Sequence, residues 1–225
     1  MKPCSGVGDM RWGILFIGAV FILILGTTGV MAENVTAVSE LSAGAAAPAE
    51  DSYNSGTVNL QTGWNLVGIP RRLSEENNKA SLFGAIDSAG RSIWTYNPAT
   101  GGWKDLTAED VLMPLDGYFV YSSKPDKVSL SYTNDPLQVP PVKDLETGWN
   151  LVGFSGASEA SARDSLLSIR KSWTQVIGWD SATQQVEGVI INGGNDTYAD
   201  SRLLSPMHAY WVYMDTPSSL ASIGA

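Results

Sequence analysis

The chain has 225 residues, a formal net charge of −9, one cysteine and one histidine. Acidity without a Lys/Arg cluster argues against nucleic acid or anionic lipid surfaces as partners. With Cys4 alone, an internal disulfide framework and a cysteine metal site are both excluded.

Lys2 and Arg11 precede an uncharged run over 12–32, whose apolar centre is ILFIGAVFILIL at 14–25. That centre has the length of a signal-peptide core, and Val30 and Ala32 are small residues where a signal peptidase would read. The whole run is also near the roughly 20 residues needed to cross a bilayer, so an uncleaved membrane anchor is the alternative. Either way the positive flank stays inside, and everything after Ala32 is expected outside, extracellular or at the cell surface. Removing Lys2, Asp9 and Arg11 leaves the exported part more acidic still. Residues 33–56 are rich in Ala, Ser, Gly and Pro and read as a disordered linker. Asn34 and Thr36 form a glycosylation sequon there, and Asn195 and Thr197 form a second one.

After the linker the chain repeats itself. LQTGWNLVGI at 60–69 returns as LETGWNLVGF at 145–154. IWTYNPAT at 93–100 is echoed by VIGWDSAT at 176–183, and LMPLDGYFVY at 112–121 by LSPMHAYWVY at 204–213. Three echoes in one order mean one supersecondary unit used twice. The units are expected at 57–136 and 138–225, joined by the stiff VPPV at 139–142.

Within a unit the predicted elements follow in order. Residues 58–60 and 64–69 are strands with a Thr62–Gly63 turn between them. Helical spacing of apolar residues predicts a helix over 75–88, with Ser74 as N-cap, and another over 160–169. Residues 93–96 form a strand, and the turn at 97–102 leads to a hairpin partner at Trp103. Residues 117–121 are apolar on both alternating sets, as in a strand buried on both faces. Clean alternation over 128–132 predicts a closing edge strand, with 219–223 as its counterpart. The expected fold class is α+β: two tandem small domains dominated by antiparallel β-sheet, each with one short helix. The second copy's extra residues, 187–200, carry a polar tip.

The GWNLVG opening, the YNPATG turn and the closing GYFVY or AYWVY resemble repeat modules of archaeal and bacterial cell-surface proteins. The resemblance covers about 60–213, and the second copy departs from it at Val186, where the first has Trp103. It implies a secreted or surface accessory role in a prokaryotic envelope and brings no catalytic residues with it.

Catalytic constellations are sparse. His208 answers to Asp116 in the first copy, so the repeat does not require a histidine there. GFSGA at 153–157 falls short of a nucleophile elbow. Asp105, Glu109, Asp110 and Asp116 crowd one loop-rich segment and offer the paired carboxylates that a glycosidase uses, but the second copy has no matching set. The loop at 192–200 offers oxygen ligands without the spacing of a helical-hand calcium loop. No catalytic residue, metal site or cofactor is therefore expected. The leading expectation is a non-catalytic structural or adhesion module, with envelope polysaccharide or surface proteins as partners and membrane contact only through an uncleaved N-terminal helix. The alternative is a carbohydrate-binding module, with Trp103 and Trp173 as exposed stacking platforms; a secreted glycosidase ranks below it. Trp64, Trp149, Tyr118 and Tyr210 are expected in the core.

Overall fold

Each repeat opens with two strands joined by a tight turn that a single asparagine closes. In the computed structural model, which describes residues 54–74, 77–133 and 139–223, Gly63 and Gly148 turn the chain with φ of 102° and 96°, a region that favours glycine. The buried Asn65 then holds the turn: its Oδ1 accepts the Gln61 N–H at 2.8 Å, and its Nδ2 donates to the carbonyls of Gln61 and Gly63 at 2.9 and 3.0 Å. Asn150 does the same with Glu146 and Gly148, at 2.9, 2.7 and 3.0 Å. A buried carboxamide is stable only when its donors and acceptor are engaged, as here.

The first half runs β1 (Ser55–Leu60), β2 (Gly63–Gly68), α1 (Lys79–Phe83), β3 (Trp94–Asn97), β4 (Gly102–Asp105), β5 (Gly117–Ser122) and β6 (Asp126–Ser131). β1 pairs with β6, and a four-stranded sheet has the order β2-β5-β3-β4, all antiparallel. The second half has β7 (Val142–Leu145), β8 (Gly148–Gly153), β9 (Ala160–Ser161), α2 (Ala162–Ser165), β10 (Trp173–Ile177), β11 (Trp179–Asp180), β12 (Gln185–Val186), β13 (Ile190–Ile191), β14 (Leu203–Leu204), β15 (Ala209–Met214) and β16 (Ser218–Ala221). Here β7 pairs with β16, and the four-stranded sheet is β13-β10-β15-β8. β13, from the extra residues of this copy, occupies the edge of that sheet. The described residues are thus mostly antiparallel β-sheet with two short α-helices, and they belong to one compact unit.

The helices are shorter than the apolar spacing predicts. α1 begins after Asn78, not Ser74; the Asn78 side chain accepts the Ser81 N–H at 2.9 Å. Its first turn is held by the 106–112 loop, because the N–H groups of Lys79 and Ala80 donate to the carbonyls of Asp110 and Ala108. α2 is capped by Ser161 and passes into a 3₁₀ turn at Leu167–Ile169.

Two hydrophobic clusters lie on the outer sides of the four-stranded sheets. One gathers Val58, Val67, Ile69, Phe83, Tyr118 and Leu130; the other gathers Leu145, Val152, Phe154, Ile169, Trp173 and Tyr210. Tyr118 and Tyr210 are core residues, as expected. Each also closes the loop before its strand: Tyr118 Oη accepts the Met113 N–H at 2.9 Å, and Tyr210 Oη accepts the Ser205 N–H at 2.8 Å.

Among the described residues, no helix is long and apolar enough to cross a membrane. The apolar run at 12–32, most of the 33–56 linker and Asn34 lie outside the described residues.

Candidate functional site

Side chains alternate across a strand, so the strands that send Val67 and Val152 into their own clusters send Leu66 and Leu151 the other way. There they meet. Leu66, Leu151, Ala209 and Trp211 form a third buried cluster, with Tyr96, Trp103, Phe119, Trp149, Ile177 and Trp179 packed half-buried around it. This seam between the two halves is the largest gathering of aromatic side chains in the described residues.

Close approach of backbone makes the seam possible. A Cβ on Gly117 would fall 2.6 Å from Leu151 Cγ and 2.8 Å from the Cβ of Ala209. Across the seam, Gly68 N–H donates to the Met207 carbonyl and Gly153 N–H to the Leu115 carbonyl, both at 2.9 Å. Met207 and Leu115 are matching residues of the two repeats, and both sit at positive φ, 64° and 63°. The two cross-links are therefore one contact made twice. The rings interlock edge to face: Trp103 lies 5.6 Å from each of Tyr96, Phe119 and Trp211, and Tyr96 lies 5.0 Å from Trp211. This geometry sets the positive edge of one ring on the negative face of the next.

The seam is not fully symmetric. The hairpin turn of the second repeat reaches over the edge of β2, where Gln184 Oε1 accepts the Trp64 N–H at 2.7 Å and its Nε2 donates to the Trp64 carbonyl at 2.9 Å. The Trp179 indole N–H gives that carbonyl its second bond, at 2.9 Å. Gln184 corresponds to Gly101 in the first repeat, so the matching turn offers β8 no such side chain. Neither Gln184 nor Trp179 stands out in the sequence as a contact residue. The available signal is that they are departures from their echoes, Gly101 and Tyr96.

The sequence-predicted sites fare differently. Trp173 is 1% exposed, inside the second core, which corrects the expectation of an exposed platform: a bulged strand, β10, turns the ring inward. Its indole Nε1 has no hydrogen-bond partner, and the ring presents no face to a sugar. Trp103 is half-buried in the seam, with its ring committed to three aromatic neighbours. Trp64 and Trp149 are half-buried rather than core; each stacks edge to face on its cross-strand tyrosine, Tyr121 at 5.3 Å and Tyr213 at 5.1 Å. Asn195 is exposed before a 3₁₀ turn, and so is Thr197.

Three of the four acids of 105–116 have side-chain partners. Asp110 is bonded to the Lys104 ammonium at 2.7 Å and accepts the Thr107 N–H and hydroxyl, which together bring its carboxyl down to about 2. Asp105 accepts the Ser92 hydroxyl, and Asp116 pairs with Lys143, tying the two halves together. His208 is surface-exposed at the seam's rim; partial burial of its ring lowers its pKa, with Glu187 opposing. Asp200, under the 192–200 loop, accepts the Gly193 N–H at 3.0 Å, and among the described residues no three His, Cys, Asp or Glu side chains gather around a common point. A cavity lined by Phe154, Ser155, Leu166, Leu204 and Tyr210 is about 20 Å³, room for about one water.

No family model, curated protein or solved structure matches the chain.

Proposed function

We propose that the chain is a non-catalytic module of a cell surface or secreted envelope structure, built from two tandem small α+β domains fused along the aromatic seam. The observation that carries this reading is the use made of the repeated residues. In GWNLVG, the first glycine turns, the asparagine clamps, the leucine and valine pack on opposite faces, and the last glycine admits the other half. What the two copies share is a way of folding, with no shared reactive group. Of the acids of 105–116, Asp105 and Asp110 are engaged in local hydrogen bonds and Asp116 pairs with Lys143, which supports the same reading over a glycosidase.

The N-terminal run supports export, with Glu33 as first residue of a cleaved product, and exposed Asn195 supports glycosylation there. Intact mass of protein from its native host tests both. A product beginning at Met1 would leave anchoring in place of cleavage, and digestion of the repeats from the cytoplasmic side would refute export.

Partners are sought among envelope polysaccharides and surface proteins by a binding screen of the full chain. Saturable binding without turnover is expected. Turnover of a polysaccharide, lost when Asp105 and Asp116 are changed to Asn, would overturn the non-catalytic reading. Binding abolished by Trp103→Ala with the fold intact would favour carbohydrate recognition, because Trp103 is the remaining half-exposed platform of the two expected.

A further inference from the structure

The two repeats carry the same strand edge, and among the described residues only one of them is covered. In β8 the Gly153 N–H points outward to Leu115. Alternate residues of a strand point the same way, so the N–H and C=O of Trp149 also lie on the outer edge, as those of Trp64 do in β2. Over β2, the space beside Gly63 is filled: a Cβ there would meet the Gln184 carboxamide at 2.5 Å. Over β8, a Cβ on Gly148 would meet nothing within 4 Å among the described residues. Gly101 (φ 64°) and Gln184 (φ 56°) share a positive φ, but a glycine at 101 has nothing to extend toward an edge. What is missing is the side chain.

We propose that the outer edge of β8 at Gly148 and Trp149 is a binding site for a glutamine-bearing turn of a partner polypeptide. The chemistry follows from the covered copy. One residue's N–H and C=O on a strand edge point in the same direction, so a complementary group must present an acceptor and a donor side by side. A primary carboxamide does so, as Gln184 shows at Trp64. The trans amide of an N-acetylated sugar directs its C=O and N–H oppositely, and a carboxylate has no donor. Exposed strand edges are also the common place for a second polypeptide to add main-chain or side-chain hydrogen bonds. Tyr96, which takes the place of Trp179, leaves its hydroxyl near the turn at Gly101, 3.8 Å from where a Cβ on that glycine would stand. This site follows from the repeat geometry and holds wherever the protein is displayed.

The chain supplies its own probe. A hairpin peptide with the sequence of residues 177–187 carries the glutamine and indole that cover β2. Titrated into the ¹⁵N-labelled full chain, it is expected to shift the Trp149 and Gly148 amides saturably, while the Trp64 amide, already covered in cis, stays in place. Replacing the glutamine equivalent to Gln184 by alanine in the peptide should weaken binding at least about tenfold. Gly101→Gln in the full chain should cover the site in cis and abolish the shifts. Unmoved Trp149 and Gly148 amides, or equal binding of the glutamine and alanine peptides, would each overturn the proposal. The peptide comparison decides the matter even if Gly101→Gln does not fold.

Discussion

Gly68 and Gly153, the last residues of the two GWNLVG motifs, face each other across the seam: a Cβ on Gly68 would lie 2.8 Å from the Gly153 Cα and 2.3 Å from the His208 carbonyl oxygen. These glycines are needed for approach, not for a turn, since neither has positive φ. Gly68→Ala or Gly153→Ala must push the halves apart and should cost about 1–3 kcal/mol, the usual penalty of overpacking. Gly102→Ala is the control, because its Cβ would meet only the Thr100 hydroxyl at 3.4 Å. Urea unfolding compares the three; equal midpoints would refute the close-approach account.

The asparagine clamps predict a matched pair of losses. Asn65→Ala removes the partners of the Gln61 N–H and C=O and of the Gly63 C=O, and Asn150→Ala removes the equivalent set. Each substitution should destabilise by about 1–3 kcal/mol, the cost of leaving part-buried polar groups unmade. Asn→Asp should be no better than alanine, because a carboxylate would turn an acceptor oxygen toward the two carbonyls that Nδ2 now serves. Thermal unfolding of the four variants checks this, and a neutral Asn65→Ala would sink it.

Tyr118→Phe and Tyr210→Phe test the loop closures. Each deletes an acceptor for one backbone N–H while leaving the buried ring in place. A loss of about 0.5–1.5 kcal/mol is expected for each, with faster hydrogen exchange confined to Met113 or Ser205. Unchanged exchange at those amides would show that the hydroxyls close nothing.

Acid should weaken the fold through its engaged carboxylates. Asp110 is lowered to about 2, chiefly by the Lys104 ammonium, while Asp87 is lowered by the Ser123 hydroxyl and Asp180 by the Thr183 hydroxyl. A depressed folded-state pKa contributes stability that is complete above the unfolded value, 3.8, and disappears as pH falls toward 2. Denaturant midpoints should therefore fall between about pH 4 and pH 2, and Asp110→Asn should flatten that slope. An identical slope in wild type and Asp110→Asn would contradict the assignment. Because the Lys104–Asp110 pair is open to solvent, high salt should shrink the part due to Lys104.

Much of the architecture was legible in the order of residues. The doubled GWNLVG, the alternation over 128–132 and the two apolar faces of 117–121 correspond to β2 and β8, β6, and β5. Local signals of this kind survive because a turn or a strand is set by neighbours a few residues apart. The helices were legible as elements but not in length, since the 106–112 loop that ends α1's free N–H groups lies about thirty residues away.

The candidate site was hardly legible at all. Alternation says that Leu66 and Val67 face opposite ways, yet when both faces are apolar it does not say which partner each face meets. Trp103 and Trp173 look alike in sequence, both near turns and both unmatched between copies; only the packed structure separates a half-buried seam ring from a ring sealed in the second core. The sequence by itself determined the repeat, its strands and its turns. Tertiary structure alone decided that two such repeats share a core, and that a glycine at 101 leaves open on β8 the edge that Gln184 closes on β2, because contacts between residues more than a hundred positions apart leave no periodic mark on the chain.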